Sequence, residues 1–416
     1  MSGSARPRHS KSARNRIRAA VACSVLVVAA AAVAVVAEPI VTARPARVPH
    51  ATGLAGSTAP RSLPAAGSVA LSPRALARLK AAHSTGSGAR RSAGGSGQGQ
   101  AAGTGQPATS QSQSQSQSVT YIAPGTSLNS VHPASGVTYL FKRGATYTGT
   151  LTVAADNVII DAYGTGRYPV FSRSSTGNDL TVSGNADFIS HIRLTGHGYQ
   201  QVPGCGSAST AGYEVGVDIG GLHDTVDSVK AYGNLYAGVY VEPGGAYATI
   251  SHSIFDGVNS LNPSNLGAGA FGILIWGNHN TVNKDTFANQ STCSPDYGRD
   301  GSGVEIYHGS YNLIEHSTGW NDSDFTELGG SGATTNTYLD NTFSAPGEFL
   351  VTRGSGDRAD GPVYNTLLIG NVAHGAVVSY DWQPGSDTLL IMKDNHVASL
   401  SQDGGFVDEG GTIIGF

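Results

Sequence analysis

The chain has 416 residues, 39% of them hydrophobic and only 13% charged, with 57 glycines, 3 cysteines and a formal net charge of −4. That charge is unevenly divided: residues 1–118 hold 14 Lys or Arg against one Glu, and residues 119–416 hold 11 against 28 Asp or Glu, a balance of −17. The acidic part repels nucleic acid, so none is expected as a partner. Phosphate-binding glycine loops, nucleophile-elbow motifs and zinc-ligand spacings are also lacking.

In chain order, residues 1–38 read as an address. A basic leader with Arg6, Arg8, Lys11, Arg14 and Arg16 precedes an Ala/Val-rich run from Ile17 to Ala37, interrupted only by Arg18. This is the pattern of an export signal peptide, and its length also suits an uncleaved membrane anchor. Either way the remainder is expected to be secreted or tethered to the cell surface, touching membrane only through this segment. Residues 39–118 are rich in Ala, Gly, Ser, Pro and Gln and end in QSQSQSQS. They hold too little apolar matter to fold and read as a flexible linker.

Residues 119–416 carry a repeat. The segments GVDIGG from Gly216, GVYVEPGG from Gly238, GILIWGN from Gly272, GVEIYHG from Gly303, FTELGG from Phe325, FLVTRG from Phe349 and VVSYD from Val377 share one strand pattern. With Asp218, Tyr240, Leu274, Glu305, Glu327, Val351 and Ser379 as equivalent points, the steps are 22, 34, 31, 22, 24 and 28 residues. A second pattern follows each after a short turn: HDTV, YATI, HNTV, YNLI, TNTY, YNTL and SDTL. A base period near 22 residues, split into strands by Gly, Asn and Asp turns, is a solenoid whose coils bury their apolar sides only by stacking.

Strand side chains alternate, so each column can be assigned to the inside or the outside. Val217, Val239, Ile273, Val304, Thr326, Leu350 and Val378 form one predicted interior stack; Ile219, Val241, Ile275, Ile306, Leu328, Thr352 and Tyr380 form the next. Asn280, Asn312, Asn336 and Asn365, with Asp224 and Asp387, fit an internal amide ladder that satisfies turn backbone groups.

The segments YLFKRGATYTGTLTV from Tyr139 and IIDAYGTGRYPVFS from Ile159, followed by these coils, make residues 138–416 resemble the pectate-lyase-like superfamily of secreted proteins. The resemblance implies an all-β chain folded as a right-handed parallel β-helix with an extracellular polysaccharide as partner; the chain is expected to be a monomer. It implies lyase chemistry more than hydrolysis, although the superfamily also holds glycoside hydrolases and non-catalytic adhesins. The Asp and Arg strings of well-known pectate lyases are missing, so no catalytic residue is carried over by motif.

The outward columns nominate the site from the residues themselves. Glu305 and Glu327 fall on adjacent coils, about 4.8 Å apart by strand spacing, and such a pair needs a cation, a shared proton or a neighbour such as Arg353. A Ca²⁺ ion held by Glu305 and Glu327, with Asp300 or Asp322 from the flanking loops, would serve β-elimination, with Arg353, His308 or Arg299 moving the proton. Without a cation, the same two carboxyls suit hydrolysis of a glycosidic bond. Trp276 and Tyr307, adjacent in the next outward column, offer flat faces to sugar rings, beside Tyr240, Glu242 and His308. Insertions at 196–213, 256–270 and 289–302 leave one edge of the helix and read as walls of a groove. Two of them carry Cys205 and Cys293, expected to form a disulfide.

Overall fold

A computed structural model describes residues 118–416, apart from 197–213, 234, 261–268, 295–297, 345–346, 354–360, 383–388, 403–404 and 416. The signal or anchor segment, the linker and Cys205 fall outside the described residues, as do the side chains of Cys293 and Arg353 and much of the three insertions. Among the described residues no helix is long and apolar enough to cross a membrane.

The chain winds as a right-handed parallel β-helix with three strand faces. Face I carries the repeated segments, among them Glu214–Ile219, Ala237–Val241, Phe271–Ile275, Ser302–Tyr307, Asp324–Gly329 and Glu348–Arg353. Face II follows each turn and forms a 12-stranded sheet from Ser118–Ile122 to Gly405–Asp408. Face III, including Lys230–Tyr232, Ile254–Asp256, Thr286–Ala288 and Thr318–Trp320, returns the chain to face I. Among the described residues every coil-to-coil pairing is parallel; the antiparallel pair Thr292–Ser294 with Gly298–Asp300 lies in an insertion. Right-handed crossover is the expected hand for strands joined in parallel.

The register is the one the sequence predicts. Asp218, Tyr240, Leu274, Glu305, Glu327, Val351 and Ser379 are successive partners. Val217, Val239, Ile273, Val304, Thr326 and Leu350 are fully buried, and so are Ile219, Val241, Ile275, Ile306, Leu328 and Thr352. Each fully buried branched side chain contributes about 1.5–3 kcal/mol relative to exposure. Thr326 is tolerated inside because its hydroxyl bonds the buried Tyr338 hydroxyl at 2.9 Å.

Polar ladders run beside this core. Asn280, Asn312 and Asn336 hand their amides along the axis: the backbone N–H of Asn280 donates to Asn312 Oδ1 at 2.8 Å, and that of Asn312 to Asn336 Oδ1 at 3.0 Å. Ala248, whose N–H donates to Asn280 Oδ1 at 2.9 Å, interrupts the ladder for one coil; upstream of it Asp224 accepts from the Asp187 N–H at 2.9 Å, and Asp187 accepts from the Val158 N–H at 2.7 Å. Asn365 does not belong to it. Thr337 pairs with Leu367, so the buried Thr366 takes the place of Asn336 one coil on. Asn365 stands exposed in the preceding turn at φ 51°, a conformation asparagine tolerates. A second ladder, Asn341, Asn371 and Asn395, repeats the arrangement with N–H···Oδ1 bonds of 3.0 Å.

One corner shapes the functional face. Between face III and face I the strand bends, and Gly272 occupies the bend because a Cβ there would meet Phe287 Cδ1 at 2.6 Å and the Gly303 carbonyl at 2.5 Å. In later coils the bulk changes sides. Phe325 and Phe349 take the corner and stack 5.2 Å apart at 9°, while Gly319 replaces Phe287 in register.

Candidate functional site

The bend at the corner breaks strict alternation. Phe325 and Thr326 are both buried, so Asp324 and Glu327, three residues apart, both face outward. Asp324 therefore joins a column with Ser302 and Glu348, beside the column of Glu305 and Glu327. Glu305 and Glu327 are partners in register and half-buried, as the outward alternation predicts.

Asp300, Asp324 and Glu327 converge, each offering a carboxylate oxygen so that all three atoms lie within 4.8 Å of one another. Asp300 reaches this place through the antiparallel hairpin, where it pairs with Thr292. Gly301 then carries the chain into face I at φ 151°, with the Ala270 carbonyl 2.8 Å from where a Cβ would lie. The donor set is oxygen only, anionic and half-buried, which suits a hard divalent cation such as Ca²⁺ rather than a softer metal.

Asp322, the other carboxylate nominated from the sequence, is not in this group. It is fully buried in the interior, where its Oδ1 accepts from the Gln290 N–H at 2.8 Å. Burial pushes its carboxyl up to about 8. The tripeptide Asn321-Asp322-Ser323 resembles a loop in sequence, yet Asp322 occupies the position from which a ladder residue serves the coil before it. Asp324 was hidden by the parity break, and only the burial of two consecutive residues reveals it.

Trp276 and Tyr307 are neighbours as expected, with ring centroids 4.9 Å apart at 42°. His308 is exposed and touches both, 5.3 Å from Trp276 and 4.6 Å from Tyr307. The two rings and Tyr240 also pack on an apolar floor of Val215, Tyr236, Ala237, Phe271 and Leu274 on the outer side of face I. Arg299, on the hairpin beside Asp300, donates Nη2 to the Asn321 carbonyl at 2.6 Å.

Tyr240 and Glu242 lie farther upstream on the face, with Asp218. Asp218 is in register with Tyr240 and only 7% exposed. Burial, and then the charge and contact of Glu242, push the Asp218 carboxyl up to about 7. The Tyr240 hydroxyl is raised by burial and by the same two carboxyls.

No family model matches the chain, and no curated protein matches it. Solved structures do resemble it. An alginate lyase from Paenibacillus sp. str. FPU-7 is 14% identical over 71% of this chain and 98% of that one, with a TM-score of 0.47. Pectate lyase Pel9A is 18% identical over 68% of this chain and 72% of its own, with a TM-score of 0.47. The tailspike protein of E. coli bacteriophage HK620, in complex with a pentasaccharide, is 13% identical over 67% and 56%, with a TM-score of 0.43.

Proposed function

We propose that face I binds an extracellular polysaccharide and cleaves a uronate-containing chain by β-elimination. The observation that carries this reading is the convergence of Asp300, Asp324 and Glu327 beside Glu305, on the face that also presents Trp276 and Tyr307. A surface this acidic repels a polyuronate, so the substrate carboxylate needs a bridge. Asp300, Asp324 and Glu327 would hold Ca²⁺, whose charge offsets that carboxylate and acidifies the proton on the adjacent carbon. Trp276 and Tyr307 support the sugar ring with their faces. His308, exposed against both rings, is the group proposed to accept the proton. The bond from the neighbouring carbon to the glycosidic oxygen then breaks, leaving an unsaturated sugar, and the departing oxygen takes up a proton from solvent as the hydroxyl of the other fragment. Export of the domain, resting on the leader and apolar run, completes the proposal.

The test incubates the full chain with polyuronates and with neutral glycans, with and without a chelator. Chelator-sensitive formation of an ultraviolet-absorbing unsaturated product is the expected result. New reducing ends without that absorbance, insensitive to chelator, would instead support hydrolysis by the in-register pair Glu305 and Glu327. No product from any glycan, with binding retained, would leave a binding module.

A further inference from the structure

Residues 119–416 hold 11 Lys or Arg, and four of them, Arg143, Arg167, Arg193 and Lys230, lie where successive coils pass from face II into face III, the corner opposite face I. Arg193 and Lys230 are partners in register on neighbouring coils, about 4.8 Å apart by strand spacing. The Arg193 guanidinium lies over the Tyr232 ring at 4.7 Å. The Tyr168 ring takes two cations, Arg143 at 4.7 Å and Lys230 at 5.3 Å from its centroid. From Arg143 to Lys230 the cluster covers four coils, about 14 Å along the axis. Among the described residues no carboxylate pairs with Arg143, Arg193 or Lys230. The nearby acids are engaged elsewhere: Asp161 with His191 at 2.8 Å, Asp227 with His252 at 2.8 Å, and Asp256 as acceptor from Asn289 Nδ2 at 2.8 Å. Arg143 gives one N–H to the Gly166 carbonyl at 3.5 Å, and Arg193 Nε is buried with no acceptor.

Cations gathered in this way without a counter-charge of their own call for an external anion. A ring face steadies a cation without consuming its N–H donors, so the tyrosines hold these side chains in place and leave donors open to a ligand. We propose that this corner is a second glycan site, which grips the carboxylates of an acidic polysaccharide directly, with no bridging metal and away from face I. The anion site stands on its own geometry; the choice of a uronate chain rests on the reading of face I. A carboxylate between Arg193 and Lys230 accepts from both at once, as a charge-assisted hydrogen bond does. Arg143 and the exposed Arg167, which adjoins Tyr168, receive a further carboxylate along the same chain. Single-stranded nucleic acid needs free ring faces for its bases, and Tyr168 already holds cations from two coils. A membrane or a duplex presents a broad anionic surface to the whole domain and meets its balance of −17, whereas a single glycan strand meets only the corner. The corner thus retains the polymer, and face I acts on it.

The experiment is calorimetric titration of the full chain in excess chelator, which removes any cation from Asp324, at low and high salt. The probes are a uronate hexamer, a neutral glucose hexamer, inorganic polyphosphate and anionic phospholipid vesicles. The uronate hexamer is expected to bind at least about tenfold more tightly than the glucose hexamer, and to loosen as salt rises. Arg193→Gln combined with Lys230→Gln should remove that preference. Arg167→Gln, at a fully exposed side chain, should weaken it about threefold at an unchanged melting temperature, and Asp324→Asn should leave it as it is. Equal binding of the two hexamers in the parent would overturn the corner site, and calcium-dependent product formed by the same protein would leave the reading of face I standing. Preference kept in both the double variant and Arg167→Gln would move the binding to the basic residues 1–118 and also overturn it. Polyphosphate or vesicles bound more tightly than the uronate hexamer would overturn the choice of ligand. Chelator-insensitive uronate binding lost in the double variant, with no product from any glycan, would uphold the corner and sink the reading of face I.

Discussion

Inside the coil, Asn280, Asn312 and Asn336 stack at coil spacing and each amide completes the next. Outside, Glu305 and Glu327 stack at the same spacing, but like charges cannot complete one another. The interior column therefore repeats itself to stabilise, while the exterior column gains from breaking the pattern, and chemistry concentrates where it breaks. The expected consequence is a separation of effects. Interior substitutions should change stability at constant specific activity, and outward ones should change activity at constant stability.

The largest effect is expected inside. Asn312→Ala removes the Nδ2 bonds to the Gly277 carbonyl at 3.1 Å and to Asn336 Oδ1 at 3.2 Å, and takes the Oδ1 acceptor from the backbone and side-chain N–H groups of Asn280. It should cost about 3 kcal/mol in denaturant unfolding, with activity per folded molecule unchanged. Asp324→Asn is its outward counterpart. We expect a loss of about 100-fold in the rate of unsaturated product, at an unaltered unfolding midpoint. Loss of stability in Asp324→Asn, or loss of specific activity in Asn312→Ala, would break the separation.

The interior acids sharpen the comparison through pH. Asp187 and Asp224 occupy ladder positions, but each has a buried Oδ2 with no donor. Burial raises their carboxyls from 3.8 to about 6 and about 7, respectively. A raised folded-state pKa means that the folded state holds the proton more tightly. The stabilisation is complete below about pH 4 and is lost as pH rises through 6 to 7. Urea midpoints should fall across that window, and Asp224→Asn, which supplies the proton permanently, should flatten the fall. A midpoint profile identical in the variant would contradict it.

The smallest effect is expected at the aromatic pair. Trp276→Ala removes one of two rings 4.9 Å apart and should weaken glycan binding by about 1 kcal/mol, roughly fivefold, measured by calorimetry.

The same contrast explains how much the sequence discloses. Columns of branched residues fix the register, because a one-residue slip would turn Val217 and its partners to solvent. Glu305, Glu327, Trp276 and Tyr307 follow from that register by alternation alone. Asp324 does not, because the corner bend changes parity between it and Glu327. Asp322 reads as a loop residue and Asn365 as a ladder residue from the sequence around them, whereas burial and strand pairing decide both. The Asp218 and Glu242 columns are legible, but the near-complete burial of Asp218 depends on side-chain packing that no strand pattern encodes.

The central claim is that Asp300, Asp324 and Glu327 hold a divalent cation on the face where the glycan binds. Calcium titration of the chelator-treated full chain, parent and Asp324→Asn side by side, tests it most directly. One saturable calcium site is expected in the parent, weakened about 100-fold in the variant at an equal melting temperature. Calcium binding of equal strength in both proteins, or none in the parent, would contradict it.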